Sequence, residues 1–282
     1  MTRSTIAFLD SGIGGLPYLA RARALMPSVR CVYLADRANF PYGGKRRPKI
    51  IAAVESAAGL LIQREDPSLI VVACNTASVV ALEHLRSRFP IPFVGVVPAV
   101  KPAAAASPGK RFGILATRRT VEGRYLRDLV SRHARGCGVV SLPASDLVEF
   151  VERDLPLSTR GQRLARVTAE VERFKGIDTL VLGCTHFLHL QEEFREVLDA
   201  RGIAVIDSLD GVTRQVVRLL GMDGPGDSSA PQAHFLGTAS GPAAPGGEGA
   251  PGAFYVTGGW PVEERYRLFA ELYGLEFAGQ LP

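Results

Sequence analysis

Two stretches of this chain are near-copies of one another: Leu69-Ile70-Val71-Val72-Ala73-Cys74-Asn75-Thr76 and Thr179-Leu180-Val181-Leu182-Gly183-Cys184-Thr185-His186. Each opens on an unbroken run of β-branched and aliphatic residues, the pattern of a parallel strand covered on both faces. Each closes on a cysteine followed by small hydroxyl or amide side chains, at the strand end where an open α/β sheet places its ligand crevice. The cysteines stand 110 positions apart, so local geometry does not join them. The repetition implies one corner made twice and set face to face, with a thiol on either side of one small molecule.

The spacing around the two corners repeats as well. Asp10 to Cys74 is 64 residues and Thr117 to Cys184 is 67. The expected fold class is therefore α/β, with two pseudo-symmetric open parallel-sheet domains and the active site in the cleft between them. The 282 residues suffice for two such cores. We expect the first domain at 1–98 plus 209–282, with the C-terminal segment returning to it, and the second at 99–208.

The periodicity places strands at 5–9, 31–35, 69–73 and 91–97, then again at 111–116, 139–142, 179–183 and 203–207. Helices are expected after the glycine turn Asp10-Ser11-Gly12-Ile13-Gly14-Gly15, at 50–63, and from Thr76 or Ser78 as cap to residue 88. A helix or connector over 100–108 crosses to the second half. There, Val121, Tyr125 and Leu129 mark one helix, with others at 146–153 and 161–174. After a helix at 209–220, residues 221–252 are rich in Gly, Ala, Pro and Ser and read as a flexible excursion around one short strand, His234-Phe235-Leu236. A strand at 253–256 and a helix presenting Val262, Tyr266, Phe269 and Tyr273 on one face close the chain.

Charge and cysteine usage narrow the function classes. The net charge is +5, but the 33 basic residues are mostly arginines interleaved with acids, and only Lys45-Arg46-Arg47-Pro48-Lys49 forms a basic run. A solvated face explains this better than a polyanion site, so no nucleic-acid partner is expected. The four cysteines, at 31, 74, 137 and 184, lack zinc-type spacing, and no metal is expected. No signal-type segment opens the sequence and no apolar stretch has membrane-spanning length, so a cytoplasmic, reducing setting with free thiols is expected and no membrane partner.

An ordinary thiol, with pKa about 8.5, is only a few per cent ionised at neutral pH. A helix terminus stabilises a thiolate by at most about 2 kcal/mol, so each corner needs a second polar partner. His186 supplies one for Cys184. Asp10, at a neighbouring strand end, stands near Cys74, where its charge raises the thiol pKa; it suits proton relay better than holding a resting thiolate. Cys31 and Cys137 lack such neighbours and read as structural. Asp10-Ser11-Gly12-Ile13-Gly14-Gly15 lacks dinucleotide and P-loop spacing. Pro41-Tyr42-Gly43-Gly44 reads as a turn or as a loop over a crevice. His84, His133, His189 and His234 read as structural or surface groups. Glu152, on a short amphipathic helix, reads as solvated from composition.

With these residues in view, the chain resembles the cofactor-independent glutamate racemase family of the aspartate/glutamate racemase superfamily. The matching stretches are Asp10-Ser11-Gly12-Ile13-Gly14-Gly15-Leu16, Pro41-Tyr42-Gly43, Ala73-Cys74-Asn75-Thr76-Ala77 and Gly183-Cys184-Thr185-His186, in the family's order. The resemblance implies that Cys74 and Cys184 are the two acid/bases, Cys74 serving the D- and Cys184 the L-enantiomer. It makes Asp10 and His186 their assistants and Glu152 the acid paired with that histidine. Ser11, Pro41, Tyr42, Gly43, Asn75, Thr76, Thr117 and Thr185 match substrate contacts. Leu188 and Ala116 depart from frequent proline and glycine positions.

The implied reaction is a cofactor-free, two-base 1,1-proton transfer at Cα of glutamate, supplying D-glutamate for peptidoglycan. The partners implied are the small-molecule substrate and a possible second copy in a homodimer. The alternatives are a racemase of another amino acid such as aspartate, and a non-catalytic regulatory binding protein on the same fold. A Cys-His hydrolase fits less well, because a second cysteine stands where its base would be.

Overall fold

A computed structural model describes residues 4–222 and 252–282. The expected excursion, with its strand at His234-Phe235-Leu236, lies outside the described residues. The first sheet contains β1 (Thr5–Asp10), β2 (Arg30–Ala35), β3 (Leu69–Val72) and β4 (Phe93–Gly95). The second contains β5 (Arg111–Ala116), β6 (Gly138–Pro143), β7 (Thr179–Leu182) and β8 (Ala204–Ile206). All pairings are parallel. The orders are β2-β1-β3-β4 and β6-β5-β7-β8, the same topology twice.

The correspondence extends to register. Leu9 pairs with Val72 and Leu115 with Leu182, so Cys74 and Cys184 each fall two residues beyond matched positions. The following N–H groups of Ala73 and Gly183 donate to Leu9 and Leu115 carbonyls, both at 2.7 Å. By this register the counterpart of Asp10 is Ala116, not Thr117, one residue off the match read from spacing. The second corner carries no strand-end acid, and His186 stands beside its cysteine instead.

The unbroken apolar strands are covered on both sides. Ile6 and Phe8 face one cluster while Ala7 and Leu9 face another, as alternation along a strand requires. Helices α1 (Leu16–Leu25), α2 (Arg47–Glu65) and α3 (Asn75–Arg88) cover the first sheet. Helix α4 (Val100–Ala106) crosses to the second half, whose helices are α5 (Arg118–Val121), α6 (Arg124–His133), α7 (Ser145–Arg153), α8 (Arg160–Glu172) and α9 (Gln191–Asp199). The single helix expected through Val121, Tyr125 and Leu129 is two, broken at Gly123. Helix α10 (Leu209–Leu219) then packs on α1 and β4.

The tail adds β9 (Gly252–Thr257), α11 (Glu264–Leu272) and β10 (Leu275–Leu281). Both strands join the first sheet, which runs β10-β9-β2-β1-β3-β4. Strand β10 was not among the expected elements. Its register shifts between Phe277 and Gly279, which breaks the alternation that would mark a strand. Phe254, Tyr266 and Phe269 of this tail are buried, each such side chain contributing about 1.5–3 kcal/mol.

Candidate active site

The two corners share a backbone conformation. Cys74 (φ −139°, ψ 118°) and Cys184 (φ −137°, ψ 136°) are both extended residues at which the strand hands over to a helical turn. Cys74 itself occupies the N-cap of α3, which corrects the expectation that Thr76 or Ser78 caps it. The Ser78 hydroxyl is committed elsewhere: it donates to the Val72 carbonyl and accepts from Val96 N–H, both at 2.9 Å. The sulfur therefore sits among the unpaired N–H groups of a first helical turn, with that of Ala77 directed at it.

The Cys184 corner continues differently, into a 3-10 segment over Thr185–Leu190 before α9 starts. A threefold repeat aligns residues three apart. It sets Phe187 and Leu190 in the core and turns His186 and His189 toward the glycine turn that follows β1.

That turn needs its glycines. A Cβ on Gly14 would lie 2.3 Å from His186 Nδ1 and 2.6 Å from Thr185 Oγ1. A Cβ on Gly12 would lie 2.1 Å from Glu152 Oε2. Tyr33 threads the turn, donating its hydroxyl to the Gly12 carbonyl at 2.8 Å and accepting from Gly15 N–H at 3.0 Å. The first half thus presses bare backbone against Glu152, Thr185 and His186 of the second.

Asp10 links the corners. It is fully buried, faces the Cys74 thiol, and through Oδ2 accepts from Thr185 Oγ1 at 3.0 Å. Oδ1 accepts from Ser11 N–H at 2.6 Å and its hydroxyl at 3.3 Å. Burial raises the Asp10 pKa, against the opposing charge of His186. Burial, then the Asp10 charge, pushes the Cys74 thiol well up. Burial and the Asp10 charge thus disfavour a resting Cys74 thiolate.

On the other side, Cys184 Sγ lies 3.9 Å from His186 Nδ1, and His186 Nε2 lies 2.9 Å from Glu152 Oε2. Glu152 has no exposed surface, which overturns the solvated reading from composition and agrees with the pairing the resemblance implied. Its carboxylate also accepts from Ile13 N–H at 2.9 Å and Tyr266 hydroxyl at 2.8 Å. Burial opposes ionisation of both partners, yet their mutual hydrogen bond and charge prevail, together with Cys184 beside the histidine. Glu152 is held below, and His186 well above, its ordinary pKa.

A second set closes one rim. Thr76 and Thr117 hydroxyls meet at 3.0 Å across the halves, and Thr117 Oγ1 also caps α5 by accepting from Thr120 N–H at 3.3 Å. Asn75 Nδ2 is buried without a protein partner, a free donor beside Cys74. A Cβ on Gly43 would stand 3.1 Å from that of Thr117. Tyr42 is buried, but its hydroxyl donates to Asp36 Oδ2 at 2.5 Å rather than facing the cysteines. Pro41 follows a cis bond from Phe40, whose ring lies 5.9 Å from that of His186.

Among the described residues no cluster of His, Cys, Asp or Glu could hold a metal. Sequence reasoning missed Asp36, which positions the Tyr42 loop, and Tyr33, a lone hydroxyl in an apolar strand. Neither carries a local signal beyond a polar group in, or directly after, the apolar strand β2.

Comparison with known proteins identifies the family. A sequence model of the Asp/Glu/Hydantoin racemase family matches residues 18–216. A glutamate racemase of Treponema pallidum is 38% identical over 279 residues, covering 98% of this chain and 96% of the relative. One of Shewanella baltica is 42% identical over 221 residues, 78% of this chain and 80% of the relative. Among solved structures, Escherichia coli glutamate racemase in complex with L-glutamate and an activator, UDP-MurNAc-ala, matches with TM-score 0.82 at 33% identity over 99% of this chain and 98% of that one. The chain belongs to the Asp/Glu/hydantoin racemase family and is an amino-acid racemase.

Proposed function

We propose that the chain interconverts L- and D-glutamate by two-base 1,1-proton transfer at Cα. Cys184 takes the proton of the L-enantiomer while the Cys74 thiol delivers one to the opposite face, and the roles reverse from D-glutamate. The observation that carries this reading is the Asp10–Thr185 hydrogen bond, which ties the strand end beside Cys74 to the residue after Cys184. Inversion needs a base on each face, because a single base tends to return its own proton.

Carbanion character at Cα is stabilised by hydrogen bonds to the substrate carboxylate and by exclusion of water. The unpartnered Asn75 amide is the donor on hand, with the paired hydroxyls of Thr76 and Thr117 beside it, while those of Ser11 and Thr185 donate to Asp10 and must turn from it to reach substrate. Pro41, Tyr42 and Gly43 border the same space. Glutamate as substrate is supported by the Treponema and Shewanella relatives and by the Escherichia coli complex. In this reading residues 1–98 and 209–282 form one domain, residues 99–208 the other, and the product feeds peptidoglycan synthesis in the cytoplasm.

Turnover of L-glutamate in D2O tests the proposal. The expected product is D-glutamate carrying deuterium at Cα, with residual L-glutamate largely protiated early in the reaction. Cys184→Ala is expected to abolish racemisation in both directions. Inversion of L-aspartate but not L-glutamate, read by circular dichroism, would replace the substrate and leave the two-cysteine chemistry standing. Unimpaired racemisation by Cys184→Ala would end the two-base assignment.

A further inference from the structure

Tyr266 lies on α11, far along the chain from either cysteine, and is fully buried. Its hydroxyl donates to Glu152 Oε1 at 2.8 Å, while Oε2 accepts from both His186 Nε2 and Ile13 N–H at 2.9 Å. A buried carboxylate with three donors is fixed in direction as well as charge. With Nε2 committed to Glu152, Nδ1 is the ring nitrogen turned toward Cys184 Sγ.

We propose that Tyr266 is a positioning residue for the Cys184 side of the reaction, its hydroxyl fixing the direction of Glu152 so that Nδ1 of His186 stays aimed at the sulfur. The proposal rests on the two-cysteine reading above and adds the C-terminal helix to it. The hydroxyl, rather than the ring, carries the effect. The ring packs independently of the oxygen, 6.4 Å from that of Phe254 and with the Arg265 guanidinium, which also engages the hydroxyl, 4.9 Å above it. Deleting the oxygen therefore leaves its seat intact.

The other groups facing the Glu152–His186 pair are Asp10 at the end of β1, Tyr33 of β2, Cys184, His189 and Arg265. His189 is a neutral neighbour: burial pushes it down to about 3, and its nitrogens are engaged by the Ile13 carbonyl at 3.0 Å and the Tyr273 hydroxyl at 3.2 Å. Of the hydroxyl groups around the pair, that of Tyr266 is the one bonded to the Glu152 carboxylate.

The test is Tyr266→Phe. Because the two enantiomers have equal free energy, kcat/KM must fall by the same factor in both directions, here about tenfold for one hydrogen bond to a charged group. The informative readout is the primary isotope effect. Slowing transfer at Cys184 raises the effect with L-[2-2H]glutamate and lowers it with D-[2-2H]glutamate. The alkaline limb of kcat/KM also moves to higher pH, since a carboxylate that has lost one donor is more basic and holds the His186 proton more tightly. The titration of the His186 ring by NMR, assigned with His186→Asn, shifts the same way and requires no turnover. That measurement separates this proposal from the glutamate assignment. Glu152→Asp, too short to span hydroxyl and imidazole, is expected to give the same isotope signature and stands in should Tyr266→Phe fold poorly. Isotope effects and a His186 titration unchanged from the parent protein, whatever happens to kcat, would overturn the proposal.

Discussion

Glu152 and His186 bind their charges to folding with opposite pH dependence. Glu152 is depressed in the fold, so its contribution is present above the ordinary carboxylate pKa and lost as pH falls through its lowered value. His186 is raised, so its contribution is complete below about 6.5 and lost as pH rises through its elevated value. Asp10, raised by burial, works against the fold once pH exceeds the unfolded carboxylate range. The pair therefore supports the structure most across neutral pH. Glu152→Gln leaves the imidazole without its counter-charge, and breaking a buried pair costs about 3–5 kcal/mol. Urea unfolding from pH 6 to pH 10 is expected to show that deficit at neutral pH and to show it shrinking on the alkaline side. There the parent loses the His186 proton and strands a buried carboxylate of its own. A deficit independent of pH would mean that the two side chains do not titrate as a pair.

At the scale of elements, the tail holds the loop that borders the site. Thr257 at the end of β9 donates to Asp36 Oδ1 at 2.6 Å and accepts from Ala38 N–H at 3.1 Å. Asp36 in turn holds Tyr42. Thr257→Val is expected to raise KM for glutamate by up to about tenfold, the equivalent of 1.4 kcal/mol, with a smaller change in kcat. Steady-state kinetics with a KM left at the parent value would detach the loop from substrate binding. The strands and their cysteine corners were legible because a buried parallel strand writes itself as a continuous apolar run. Other features depend on partners distant in sequence. The fate of Glu152 is decided by Ile13, His186 and Tyr266, on three separate elements, and nothing within α7 signals it. Cysteine is not a preferred capping residue, so Thr76 and Ser78 looked better placed to start α3. Strand β10 was hidden by the shift at Gly279. The pairing of Glu152 with His186 was read from family resemblance, and the geometry agrees with it.

In the molecule as a whole, both candidate sulfurs are closed in. Cys74 is 6% and Cys184 5% exposed, and the open clefts of about 540 and 560 Å3 lie elsewhere. One follows the crossing between the halves beside residues 97–101 and 206–212; the other lies beside residues 91–95. For sulfurs this buried, parting of the halves is the expected route of substrate entry. Three contacts close the rim on the loop side: Thr76 with Thr117, Gly43 against Thr117, and Arg119 Nη2 donating to the Lys45 carbonyl at 2.8 Å. The last engages no group assigned to chemistry, so it can be removed without touching the reacting residues. In the parent protein, iodoacetamide is expected to label half-buried Cys137 first, with Cys74 and Cys184 lagging behind it. Burial and the Asp10 charge slow Cys74 further by keeping its thiol protonated. Arg119→Ala weakens the rim and shifts the population toward separated halves, so labelling of both cysteines accelerates together while Cys137 keeps its rate. Glutamate restores protection at both by binding the closed form. Peptide mapping of the alkylated protein reads all three sites at once. Acceleration at one sulfur alone would indicate local fraying of a single corner, whereas a common factor at Cys74 and Cys184 is what a rigid separation of two sheets demands.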